Sequence, residues 1–135
     1  MLLVDTNVLL DVLQDDPRWA EWSIEQLRAQ AQGHELYINP IIYAELSLTF
    51  QSVETLDAAV AEMELTSREL PKPALFLAAR AFIQYRRRDR QKNNVLSDFL
   101  IGAHAAVLGC GILTRDGGRY RNYFPSGALI IPDDA

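Results

Sequence analysis

The sequence is poor in the residues that several common chemistries require. It has one cysteine, Cys110, two histidines, and only two lysines, Lys72 and Lys92, among 13 cationic residues. A single thiol cannot close an internal disulfide, so a reducing, cytoplasmic setting is expected. Cys110 lies in an apolar stretch between two glycines and reads as a small packed hydrophobe. No apolar run approaches the roughly 20 residues of a membrane span, and no basic segment followed by an apolar one opens the chain, so neither a membrane anchor nor a secretory leader is expected. Positive charge is also short: the formal net charge is −5, which argues against bulk nucleic-acid binding through the whole-molecule field. Repeats, low-complexity tracts and linkers are missing, so the 135 residues are expected to form a single domain over 1–135.

What is present is an alternation of short apolar runs and helical periodicities. Leu2 to Val4 forms an unbroken apolar run, as a strand buried on both faces requires, and it stops abruptly at Asp5. Thr6 and Asn7 follow, and Val8 to Leu13 turn helical. Asp16-Pro17 reads as the cap and first residue of a second helix, with Ala20, Ile24, Leu27 and Ala31 on one face. Leu36 to Ile38 is a second strand, and Asn39-Pro40 opens a helix through about Phe50. Ser52 caps a further helix, a weak edge strand falls within Leu65 to Leu70, and a long helix runs from Ala74 to Arg88 with Leu75, Ala78, Ala79, Phe82 and Ile83 as its core face. Ser97 caps a helix from Asp98 to Leu108, which Gly109 and Gly111 end. Ile112-Leu113 is a strand with Thr114-Arg115-Asp116 at its edge, and Ala128 to Ile131 is a last strand. Such alternation predicts an α/β fold, a parallel sheet of order 3-2-1-4-5 with helices on both faces. The chain reversal between strands 1 and 4 then makes a crevice flanked by Asp5 and Asp116.

Four acids stand where this fold can bring them to that crevice. Asp5 and Asp116 end strands, Asp98 sits in the first turn of a helix, and Glu45 interrupts the apolar stripe of Ile41 and Leu48. Clustered carboxylates repel and need neutralising. No lysine occupies a comparable strand end. His104, six residues after Asp98, points about 240° away around the helix. The economical counter-charge is a hard divalent cation, Mg²⁺ or Mn²⁺, and such a site suits hydrolytic phosphoryl chemistry.

The ordered set Val4-Asp5-Thr6-Asn7, Glu45, Leu96-Ser97-Asp98-Phe99-Leu100-Ile101-Gly102-Ala103-His104-Ala105, Leu113-Thr114-Arg115-Asp116, Arg119-Tyr120 and Tyr123-Phe124-Pro125 resembles the PIN-domain ribonucleases, and closely the VapC-type toxins of bacterial toxin–antitoxin pairs. The resemblance implies a three-layer fold with a five-stranded parallel sheet and Mg²⁺-dependent endoribonuclease activity, with Mn²⁺ able to substitute. By that resemblance Asp5, Glu45, Asp98 and Asp116 are catalytic, and Asp5, Asp98 and Asp116 are metal ligands. Asn7 and Thr114 are supporting groups that orient the carboxylates. It further implies a small antitoxin as partner, whose tail fills the acidic groove, and a homodimer, for which the early Trp-bearing helix or the Glu54–Met63 helix is available. Ser97 stands where a proline is common in the family. Arg115, Arg119 and Arg121, with the Arg86–Arg90 run, are expected to hold RNA phosphates, and Tyr120 or Tyr123 to stack an unpaired base.

Rival readings are weaker. A haloacid-dehalogenase-like phosphatase needs an acid two residues after Asp5, where this chain has Asn7; a receiver domain needs a late lysine. A non-catalytic PIN-like module that binds RNA or protein is the alternative. Retained, unneutralised acids would only destabilise such a module.

Overall fold

In the computed structural model the described residues are 1–88, 96–125 and 127–132, with Arg119 described by its backbone only. The central strand β1 (Leu2–Val4) is fully buried, as its apolar run requires. It pairs in parallel with β2 (Leu36–Ile38) on one side and β4 (Gly111–Leu113) on the other. A short, exposed β3 (Thr66–Ser67) lies beyond β2, and β5 (Leu129–Ile130) beyond β4, giving the all-parallel order 3-2-1-4-5 that was expected. The connections are helical: α1 (Thr6–Leu13), α2 (Ala20–Ala31), α3 (Pro40–Ser47), α4 (Val53–Glu62), α5 (Lys72–Arg88), α6 (Leu96–Leu108) and α7 (Gly118–Tyr123). No described helix is long and apolar enough to cross a membrane.

Local chemistry accounts for most boundaries. Asn39 Oδ1 accepts the Ile42 amide and Pro40 takes the first helical position, so α3 starts where the sequence places it. Ser52 caps α4 through the Thr55 amide. Gly109 leaves α6 with φ +67°, the left-handed conformation a glycine adopts without penalty.

Four expectations are corrected. Asp16 accepts the amides of Arg18 and Trp19, closing a turn, so α2 begins at Ala20 and not at Pro17. The α3 helix stops at Ser47, and Leu48 is 86% exposed, outside the stripe it was assigned to. In α5 the buried residues are Ala74, Ala78, Ala81 and Tyr85, while Leu75, Ala79 and Ile83 face outward. Small alanines let α5 lie close against its neighbours. Periodicity alone favoured the larger residues. Ser97 lies inside the first turn of α6 rather than before it, because the helix already begins at Leu96.

The core runs through Leu3, Val4, Tyr37, Ile38, Phe99 and Leu113. Gly102 on α6 matters for the site. A Cβ there would lie 2.5 Å from the Phe124 ring and 3.0 Å from the Tyr120 ring. Its missing side chain is what lets α7 settle against α6. Phe99 and Tyr123 (centroids 5.2 Å apart), with Tyr85, Phe82 and Phe124, extend that contact as an aromatic cluster.

Candidate active site

Asp5 is the first residue past β1, beside the strand order's reversal between β1 and β4, and its amide bonds to the Leu113 carbonyl at 2.9 Å. The residue is 6% exposed. The two carboxylate oxygens do different work. Oδ1 accepts the Thr6 amide at 2.8 Å and so caps α1. Oδ2 accepts the Thr114 hydroxyl and the Tyr120 hydroxyl, each at 2.9 Å. Burial pushes the Asp5 carboxyl up to about 6; the Thr114, Tyr120 and Thr6 hydrogen bonds oppose the rise and the charge of Asp98 adds to it. Among the described residues, every donor to Asp5 is neutral.

Asp98, half-buried in the first turn of α6, and Asp116, exposed just past β4, share a cavity of about 50 Å³ with Asp5, Asn7 and Tyr120. A water needs about 10–15 Å³ of such space, so the cavity has room for an ion with a few waters. Glu45 does not line it. Its Oε1 accepts the Thr6 hydroxyl at 2.5 Å, which places it one residue behind Asp5. Three of the four expected acids therefore share one cavity and the fourth is tethered beside it. Tyr120 lies in the field of the group: burial first, then the charges of Asp5, Asp98 and Glu45, hold its hydroxyl well above the usual phenol range. It remains a proton donor to Asp5.

Asn7 and Thr114 connect these groups. The Thr114 hydroxyl donates to Asp5 while accepting from Asn7 Nδ2 at 3.2 Å and from the Asp116 amide at 3.1 Å. Asn7 Oδ1 accepts the Arg115 amide at 3.1 Å. Every side chain lining the cavity offers an oxygen, and among the described residues no cationic side chain is paired with the buried Asp5 carboxylate, which fits a hard divalent cation. Among the described residues no three acid, histidine or cysteine side chains are gathered to hold an ion by themselves. Asp5, Asp98 and Asp116 would hold it together with water, as Mg²⁺ prefers.

The basic residues are arranged differently from the expectation. Arg115 gives its Nε to buried Asp11 at 2.8 Å and stacks its guanidinium 5.5 Å from the Trp19 ring centroid, so it is tied to α1 and α2. Arg121 is exposed on α7. The Arg119 side chain, Arg90 and Lys92 lie outside the described residues. Arg86, Arg87 and Arg88 are exposed at the end of α5.

Of the two tyrosines expected to stack a base, Tyr120 is not placed to do so. Tyr120 is buried with its hydroxyl on Asp5, and Tyr123 packs against Tyr85 and Phe99. Tyr120 belongs to the site for a reason the sequence barely signals: α7 starts at Gly118, soon after Asp116, and brings the Tyr120 hydroxyl to Asp5. His104 is buried in the core, with Nδ1 3.1 Å from Asn39 Nδ2 and its ring edge-on to Tyr37, away from the acids as the helical spacing indicated. A larger groove of about 270 Å³ between α3 and α4, lined by Tyr43, Ser47, Phe50 and Leu56 among others, has no charged residue in its walls.

Comparison with known proteins agrees with this fold. No curated protein matches the chain significantly in sequence. Among solved structures, VapBC2 from Rickettsia felis, bound to a DNA fragment from its promoter, is similar with a TM-score of 0.74 and 16% identity over 96% of this chain and 97% of that one. VapBC-1 from nontypeable Haemophilus influenzae gives 0.72 and 15% over 96% of each chain. A toxin–antitoxin complex from Klebsiella pneumoniae gives 0.64 and 18%, again over 96% of each. At these identities the likeness is one of fold. The PIN domain model matches residues 2–124, and PIN domains are generally metal-dependent nucleases. With its strand order, its strand-end acids and a family match over nearly its whole length, this chain belongs to the PIN-domain family.

Proposed function

We propose that the chain is a Mg²⁺-dependent endoribonuclease and the VapC-type toxin of a toxin–antitoxin pair, working in the cytoplasm as a single domain. The observation that carries this reading is the shared cavity of Asp5, Asp98 and Asp116, in which the buried acid at the end of the central strand has only neutral donors among the described residues. Membership in a nuclease family and the fold shared with toxin–antitoxin complexes support it.

In this reading Asp5, Asp98 and Asp116 hold the ion, and Glu45, presented by Thr6, is the proton acceptor or binds through a water. When bound, Mg²⁺ or Mn²⁺ lowers the pKa of a water and offsets charge on the scissile phosphate. The residues of the chain do the positioning. Thr114 and Tyr120 fix the orientation of Asp5 through one oxygen, and Thr6 fixes it through the other. Arg121 and the exposed arginines ending α5 provide local phosphate contacts on a molecule that is acidic overall. The partner is a small antitoxin whose tail enters the acidic cavity, and the active form is a homodimer. Outward apolar side chains concentrate on α5 (Leu75, Phe76, Leu77 and Ile83) more than on the Trp-bearing helix or α4.

The test is cleavage-site mapping on total cellular RNA with Mg²⁺, comparing the wild type with Asp5→Asn and Asp98→Asn. Discrete metal-dependent cuts by the wild type alone are expected. Equal cleavage by all three would reject the assignment.

A further inference from the structure

We infer that Asp11 is a positioning residue: through Arg115 it fixes the Thr114–Asp116 segment, and so sets the geometry of the acidic cavity without lining it. Asp11 lies one helical turn after Asn7 on α1, so the two share a face. Both hold the same residue of the β4 edge. Asn7 Oδ1 accepts the backbone amide of Arg115 at 3.1 Å, and Asp11 Oδ2 accepts its side-chain Nε at 2.8 Å. The clamp is built into the core. Asp11 is 2% exposed, the same oxygen accepts the Ser23 hydroxyl from α2 at 2.7 Å, and Trp19 covers the guanidinium.

The residue so held is the one between two site groups. On one side Thr114 donates to Asp5; on the other the carboxylate of Asp116 faces the cavity. Thr114 is fixed by its bonds to Asp5, Asn7 and the Ile130 carbonyl, and the amides of Arg115 and Asp116 are bonded to Asn7 and Thr114. The hold on the Arg115 side chain adds a tie to α1 one turn further on, and a buried ion pair is rigid when its remaining hydrogen bonds are satisfied. Misplacement of a reacting group by about 1 Å can cost on the order of a hundredfold in rate. A link from α1 and α2 to the β4 edge is thus the means by which residues outside the cavity control it. The catalytic consequence rests on the nuclease reading above; the positioning itself does not.

The experiment compares wild type, Asp11→Ala, Arg115→Ala and the double variant Asp11→Ala/Arg115→Ala. The double variant removes both charges, leaves no buried ion unpaired, and covers the case in which a single variant fails to fold. Hydrogen exchange, read by mass spectrometry without metal, reports on the segment directly. Peptides spanning 113–118 should exchange faster by on the order of tenfold in the double variant, with β1 amides unchanged. In RNA cleavage kcat should fall by on the order of a hundredfold with KM little altered. Wherever the single variants fold, they should lose as much as the double, since the two residues act as one unit. Unchanged exchange in 113–118, or losses that simply add in the double variant, would overturn the inference. A wild type that cleaves no RNA would sink the nuclease reading and leave the exchange result to stand by itself.

Discussion

Two buried carboxylates on the same short stretch of chain, Asp5 and Asp11, have opposite surroundings. Asp11 has a guanidinium from its own chain, a serine hydroxyl and an indole above the pair. Asp5 has an amide and two hydroxyls. The first is a finished structural ion pair. The second is a negative group whose described partners are all neutral, and burial has already pushed its carboxyl up to about 6. The difference separates a carboxylate already paired with a cation of its own chain from one that, in the proposed function, takes its counter-charge from a metal ion.

The largest expected effect comes from removing the charge on Asp5. Asp5→Asn should abolish RNA cleavage, a loss of about a thousandfold or more, as expected when a metal ligand is removed. Its effect on stability should run the other way. The folded, metal-free chain binds a proton at Asp5 that the unfolded chain releases near 3.8, so this group's contribution is full below about pH 4 and is lost as pH rises through about 6. The difference is worth about 3 kcal/mol. Melting in a chelator should therefore show Asp5→Asn gaining on the wild type between pH 4 and 7. Mn²⁺ should raise the wild-type melting temperature and not that of the variant. A wild type indifferent to millimolar Mn²⁺ would favour the non-catalytic binding module.

The opposite result is expected at the other carboxylate. Arg115→Ala strands a buried Asp11 and should cost about 3–5 kcal/mol in denaturant melts. Were it neutral, Asp11 and Asp5 would not differ as described. Gly102→Ala tests the contact that seats Tyr120 on Asp5. Its methyl group collides with Phe124, and a loss of about 1–3 kcal/mol is expected together with reduced cleavage. The smallest change is Tyr120→Phe, which removes one donor and no volume. It should cost about 1 kcal/mol and raise the Asp5 carboxyl further, visible as an acid limb of the cleavage profile moved to higher pH.

Much of this was legible in the residue order. A buried apolar run that stops at polar residues, as at Val4-Asp5 and Leu113-Thr114-Arg115-Asp116, marks a strand end, and strands alternating with helices predict a parallel sheet. Asn39-Pro40 and Ser52 fixed helix starts because capping is decided within three residues. The outward turn of Leu75 and Ile83 on α5 was not legible, because apolar periodicity does not say whether alanine or leucine faces the neighbouring helix.

The caps at Asn39 and Ser52 and the positions of Asp5, Asp98 and Asp116 at element ends follow from the sequence by itself, since each depends on neighbours a few residues away. Which carboxylate is paired with an arginine of the chain was decided only in three dimensions. Arg115 reaches Asp11 across 104 residues, and Tyr120 reaches Asp5 across 115. No local preference distinguishes a guanidinium bound for phosphate from one bound for a buried acid. Only the packing of α1, α2 and the β4 edge brings Asp11 within reach, and that proximity fixes the role of Arg115.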